Sequence, residues 1–245
     1  MKKNLILEIC QNHNGSESLL KEMIHAASET GAKFVKIQDI HSAELTNRPK
    51  FDKGISKNGK ILTLKRPFKD EYKRLKKLDM RKNFISNFVK FCSLYNIKPM
   101  ITPFTYESYY RIQNKGVKFI KIASYDCSSL NFLERIKSLK LPMVVSTGAT
   151  KKNEIINASK TLGNNLFAFL HCVTIYPTPL NKCNLQKINF LKKYSKNVGW
   201  SDHTLFERDG HAASLTSLLL GASIIERHFT VLNKTKTKDG PVSIN

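Results

Sequence analysis

Residues 199–204 read GWSDHT, and residues 224–230 echo them with IIERHFT. Each is a short β-type run that closes on polar residues including a histidine, His203 in the first and His228 in the second. A strand ending this way presents its imidazole at the rim of a sheet, and two such imidazoles can share one divalent metal. A lone strand-end histidine is more often a packing residue. A pair on consecutive strands favours ligation.

Six further runs of the same kind precede these two: LILEICQN (5–12), FVKIQ (34–38), PMITPF (99–104), FIKIAS (119–124), PMVVSTG (142–148) and LFAFLHC (166–172). With VGWSDHT (198–204) and ASIIERHFT (222–230) there are eight. Amphipathic segments separate them. Residues 16–30 put Leu19, Leu20, Met23, Ile24 and Ala27 on one face and stop at Gly31. Thr105 is the expected cap of a helix running to Gly116, and Thr150 of one running to Gly163. Residues 129–139, 184–194 and 207–220 complete the helical series.

Strands alternating with helices imply βαβ units and a parallel sheet. Eight of them predict a TIM (β/α)8 barrel rather than an open sheet, and no glycine-rich dinucleotide fingerprint follows any run. The α/β reading places residues 1–245 in a single barrel domain that carries the catalysis. Two departures from a regular barrel stand out. The connection 39–77 is long and lysine-rich with only a weak helical start, and no helix is expected after the eighth run.

Lysine and arginine number 41 against 19 acidic residues, a formal charge of +22. A basic field gathers anionic partners. The lysines are scattered, however, and lack the aromatic interleaving that single-stranded nucleic-acid binders use, so a solvated surface is expected and a nucleic-acid partner is not. The five cysteines form no CxxC pair and read as buried thiols of a reducing compartment. MKKNLILEIC resembles a signal peptide only until Glu8 interrupts it, and no run is long enough to span a membrane. A cytoplasmic location with no membrane partner is expected.

In a parallel barrel, chemistry collects at the C-terminal strand ends. Those ends are polar: Glu8, Gln11 and Asn12; Lys36 and Gln38; Thr102; Lys121, Ser124 and Asp126; Ser146 and Thr147; His171, Thr174 and Tyr176; Ser201, Asp202 and His203; Glu226 and His228. Two lysines, several hydroxyls and carboxylates beside histidines describe a site for a small, multiply charged anion. An inward lysine can also form an imine when its pKa is lowered. Anion binding accounts for more of the residues, while His171, inside its strand, reads as structural.

EICQNHNGS, VKIQ, ITPF, KIAS, STGA, LHCVTIYPTP, GWSDHT and IIERHFT, in this order, resemble the sialic acid synthase family of phosphoenolpyruvate-dependent nonulosonic acid synthases from Leu5 onward. The resemblance implies condensation of phosphoenolpyruvate with an N-acetylmannosamine-like aldehyde sugar, with release of phosphate. It implies a divalent metal, Mn²⁺, on His203 and His228. Lys36, Thr102, Lys121, Ser124, Ser146 and Ser201 match phosphoenolpyruvate-binding positions, Gln38 and Tyr176 match sugar-side contacts, Thr174 is a further candidate for substrate binding, and Glu8 matches an acidic residue near the metal. Glu8, Lys121 and Asp126 are the candidate catalytic residues.

The chain departs from the family pattern in four places. Asp126 stands where relatives commonly have glutamate, Thr174 where some have asparagine, and KDGPVS (238–243) where a GPD motif is usual, leaving open whether Asp239 replaces its aspartate. The family's C-terminal antifreeze-like domain, which supplies an arginine to the partner subunit's site, has no counterpart in these residues. A homodimer or a separately encoded partner domain is therefore expected. Two other readings are a Schiff-base pyruvate aldolase using Lys121 and a truncated, non-catalytic barrel that binds or regulates a complete synthase.

Overall fold

The computed structural model describes residues 3–58, 60–63 and 65–245. Eight parallel strands close into a barrel: β1 (Asn4–Cys10), β2 (Phe34–Asp39), β5 (Lys98–Pro103), β6 (Phe119–Ile122), β7 (Met143–Ser146), β8 (Leu166–Cys172), β9 (Asn197–Asp202) and β10 (Ile224–His228). Each pairs with its neighbours in sequence, and β10 closes the ring on β1, Glu8 lying opposite His228. These are the eight runs expected from the sequence. The two remaining strands, β3 (Ile55–Lys57) and β4 (Lys60–Thr63), form a separate antiparallel hairpin.

Alternation along the strands builds two cores. Outward residues such as Leu7, Ile9, Val35, Ile37, Val145 and Trp200 pack under the helices in one large cluster. Inward residues Ile6, Phe34, Met100, Val144, Leu170 and Ile224 plug the lower barrel in a second, joined by Phe119 and Phe167. Because successive residues face opposite ways, the inward position next along each strand lies two residues later. There the apolar plug gives way to Glu8, Lys36, Thr102, Lys121, Ser146, Cys172, Ser201 and Glu226. On β9 the plug position is Gly199, where a Cβ would sit 2.3 Å from the Ile224 carbonyl and 2.6 Å from Leu170. Glycine is needed there for the strands to close.

The helices are α1 (Glu17–Glu29), α2 (Pro49–Lys53), α3 (Phe68–Lys76), α4 (Phe84–Leu94), α5 (Ser108–Ile112), α6 (Leu130–Lys137), α7 (Lys152–Leu162), α8 (Lys187–Leu191), α9 (Phe206–Asp209) and α10 (Ala212–Leu219). Ser16 caps α1, accepting from Leu19 N at 3.3 Å, and the helix buries Leu20, Met23, Ile24 and Ala27. The two caps expected from the sequence, Thr105 and Thr150, are not used. Thr105 gives its hydroxyl to Glu44 at 2.7 Å and α5 is a short helix beginning at Ser108. Thr150 gives its hydroxyl to backbone carbonyls while Glu154 turns back to Lys151 N at 2.6 Å to start α7. Residues 207–220 are two helices, α9 and α10, because the chain turns at Gly210 with φ +54°.

The connection after β2 is more ordered than its sequence suggests: it holds α2, the hairpin and α3. Arg111 anchors its start by reaching Asp39 at 2.9 Å and Glu44 at 2.5 Å. Arg74 of α3 donates to Gln11 at 2.8 Å, bringing the excursion over the barrel mouth. Beyond β10 the chain returns to the same end, Thr230 N donating to Ile244 O and Ile244 N to His228 O, with no α-helix after β10 among the described residues. All five cysteines are buried and unpaired, as expected. No helix among the described residues is long and apolar enough to cross a membrane.

Candidate active site

The inward polar residues enclose a cavity of about 450 Å³ at the C-terminal end of the barrel. Its floor holds two buried lysines. Lys36 contacts the Glu8 carboxylate and donates to Thr102 Oγ1 at 2.9 Å. Lys121 donates to Ser146 Oγ at 2.6 Å and lies 3.6 Å from Glu226 Oε1. Burial lowers Lys36 to about 7 against the opposing pull of Glu226. Burial would raise Glu226, but Lys121 and Lys36 outweigh it and hold the carboxylate at about 2.

Ser201 Oγ donates to Glu226 at 2.8 Å, which links the ends of β9 and β10. Behind them, on the outer face, Asp202 meets the buried Arg227 at 2.7 Å and takes the Ser214 hydroxyl at 2.5 Å. This ion pair keeps the two strand tips together, so Ser201 and Glu226 face the cavity side by side. Ser124 joins from the turn after β6, accepting from Gly148 N at 3.0 Å.

His203 and His228 stand at the rim with ring centroids 5.5 Å apart. The Val173 carbonyl, 3.1 Å from His203 Nδ1, can only accept, so Nδ1 carries the proton and Nε2 faces the Tyr176 hydroxyl at 3.0 Å. His228 Nδ1 is buried and has no hydrogen-bond partner. Burial lowers both imidazoles, His203 to about 3, which keeps them neutral and able to donate lone pairs. This donor set fits a divalent cation: two neutral imidazoles, one with an orphaned nitrogen, beside carboxylates.

Of the residues singled out from the sequence, Glu8, Lys36, Gln38, Thr102, Lys121 and Ser124 line the cavity, and so do Ser146, Tyr176, Ser201, His203 and His228. Asp126 and Thr174 do not. Asp126 sits in the turn after β6 beside Tyr125 and Arg48, and burial raises its carboxyl to about 7. Thr174 is exposed at the loop after β8. His171 faces outward, with Nε2 2.8 Å from the Cys183 carbonyl and its ring against Trp200.

Sequence reasoning assigns no role to Cys10 or Cys172 and names Glu226 only among the polar strand ends, yet each lines the cavity. Parity holds the signal: Cys10 lies two residues after Glu8, and Glu226 two before His228. Arg66, Glu71 and Arg74 from the excursion, with Lys238 and Asp239 from the tail, complete the rim. Asp239 is the candidate replacement for the GPD aspartate, and nothing local in the sequence marks the other four.

The NeuB family model matches residues 23–245. The chain is 34% identical over 252 residues to N,N'-diacetyllegionaminic acid synthase of Campylobacter jejuni, covering 98% of this chain and 71% of that protein. It is 31% identical over 245 residues to the synthase of the same name from Legionella pneumophila, covering 97% of this chain and 65% of that protein. The chain thus spans about two thirds of the length of these relatives. Among solved structures, N-acetylneuraminic acid synthetase from Leptospira borgpetersenii in complex with citrate superposes with a TM-score of 0.83 at 27% identity, over 100% of this chain and 79% of that one.

Proposed function

The chain belongs to the NeuB family, and from that membership we propose that it condenses phosphoenolpyruvate with an amino-sugar aldehyde to give a nonulosonic acid and phosphate. Carbon 3 of phosphoenolpyruvate bonds to the aldehyde carbon, water adds at carbon 2, and the phosphate leaves to produce a 2-keto acid. The observation that carries this reading is the pair of buried lysines, each set against a hydroxyl, on the floor of the cavity.

Lys36 and Lys121, in their cationic forms, would hold the carboxylate and phosphate of phosphoenolpyruvate. Thr102, Ser124, Ser146 and Ser201 surround them with hydroxyls that can donate to the same oxygens. Burial strengthens these contacts because the cations face little competing water. Glu8 and Glu226 balance the charge of the lysines, and Glu8 can accept a proton from the attacking water. Tyr176 and Gln38 lie toward the open side, where the larger sugar would enter.

A divalent cation held by His203 and His228 would supply Lewis acidity to the aldehyde oxygen. The relatives from Campylobacter jejuni and Legionella pneumophila support the acceptor class: both are synthases of a diacetylated nonulosonic acid, and we propose an acetamido sugar here. Incubating the protein with phosphoenolpyruvate, Mn²⁺ or Co²⁺ and a panel of acetamido hexoses, while following phosphate, tests the reading. Sugar-dependent phosphate release is the expected result. Silence with every sugar despite bound metal would overturn it.

A further inference from the structure

Three donors of different chemistry meet at one edge of the cavity. The Cys10 thiol, a His228 ring nitrogen and an Asp239 carboxylate oxygen lie within 4.8 Å of one another. Cys10 ends β1 with φ +56°, just past a break in the β1–β2 register. Its backbone N–H is tied to Glu8 Oε1 at 2.6 Å, and its thiol reaches Asp239 Oδ2 at 2.8 Å. Asp239 is fixed in turn: its carbonyl takes the Ser243 hydroxyl at 2.8 Å, and Asn12 donates to Ser243 Oγ at 3.1 Å.

His228 supplies the independent sign of a ligand. It is 7% exposed, lines the cavity, and leaves Nδ1 without a partner. A buried polar atom in that condition carries a desolvation cost that a bound group would relieve. The proposed anion site uses neither Cys10 nor Asp239.

We propose that Cys10, His228 and Asp239 form a sulfur, nitrogen and oxygen site for a thiophilic divalent cation, Zn²⁺ or Co²⁺ in preference to Mn²⁺. This rests on the reading that a divalent cation sits at His228, and it specifies the class of cation. Thiolate is a soft ligand, and the divalent affinity series already places Mn²⁺ below Co²⁺ and Zn²⁺. Bond lengths of about 2.3 Å to sulfur and about 2.0–2.2 Å to nitrogen and oxygen put tetrahedral donors roughly 3.5 Å apart. The three donor atoms, all within 4.8 Å of one another, lie no more than about 1.3 Å beyond that spacing. On binding, the Cys10 proton leaves to solvent and the sulfur coordinates as thiolate. Three protein ligands leave a position for His203 or for a substrate oxygen.

The test strips the protein with a chelator and titrates Co²⁺ while recording absorption. The expected result is a sulfur-to-cobalt charge-transfer band in the near ultraviolet that saturates with the metal and is abolished by Zn²⁺. Cys10→Gly, which suits the backbone at φ +56°, and Cys10→Ser should both lose the band. Both should bind Zn²⁺ at least about tenfold more weakly, with Mn²⁺ affinity barely moved and the unfolding midpoint kept. Co²⁺ binding without a sulfur band would overturn the Cys10 assignment and leave the divalent-cation reading standing. Absence of any divalent-cation binding would overturn both.

Discussion

Replacing Lys121 with methionine removes the cation nearest Glu226 while keeping most of the side-chain volume. The two groups lie 3.6 Å apart and both are buried. At an effective dielectric constant of about 20, Coulomb's law assigns such a pair about 5 kcal/mol. Stranding one member of a buried pair costs about 3–5 kcal/mol in practice, a large share of the roughly 5–15 kcal/mol that holds a domain folded. Without Lys121, Glu226 keeps the Ser201 hydroxyl at 2.8 Å and the attraction of Lys36, which is largely neutral at pH 8, while its Oε2 has no hydrogen-bond partner. Trp200, fully buried and the only tryptophan, reports unfolding by fluorescence. In urea at pH 8, Lys121→Met should lose about 3 kcal/mol or more. The double variant Lys121→Met, Glu226→Gln should recover most of that, because no charge is then left unpaired, while phosphoenolpyruvate binding stays lost in both. A loss below about 1 kcal/mol in the single variant, or a double variant as unstable as the summed singles, would show that Lys121 does not balance the buried Glu226.

Two further predictions follow from titration. Lys36, lowered to about 7 by burial, is a cation below that pH and neutral above it; anion affinity should weaken as pH rises past 7, approaching tenfold per unit. Calorimetry should find the dependence flattened in Lys36→Arg, whose charge does not titrate, and a flat profile in the wild type would contradict the assignment. His13 and His171 are each lowered by burial from 6.5 to about 4. The unfolded chain therefore takes up protons first as the pH falls, and stability should drop between pH 6.5 and 4 by roughly 3 kcal/mol for each histidine. Urea midpoints across that range would be flat if the two were solvated.

Strand parity makes the floor of the site legible in the amino-acid sequence. Lys36 and Gln38, Ser201 and His203, and Glu226 and His228 are spaced two apart, and each pair shares the inward face. Cys10 shares that spacing with Glu8, but a cysteine in an apolar run reads equally well as packing, so its place at the cavity goes unmarked. Nearness to Lys121 suggests that Asp126 belongs to the barrel mouth; the turn after β6 carries it out beside Tyr125 instead. The rim is beyond sequence reading for a different reason. Arg74 reaches Gln11 across 63 residues and Asp239 reaches Cys10 across 229, and contacts at such separations leave no local periodicity. The same applies to Thr105, whose hydroxyl is claimed by Glu44 rather than by the first turn of a helix.

In the proposed reaction the two buried lysines on the barrel floor hold the anionic substrate. A crystal structure with phosphoenolpyruvate bound tests it most directly. The ligand's carboxylate and phosphate should lie on Lys36, Lys121, Ser146 and Thr102, with carbon 3 facing the side of Tyr176. Phosphoenolpyruvate found instead in the neighbouring cavity lined by Arg48, Arg66 and Tyr125 would contradict it.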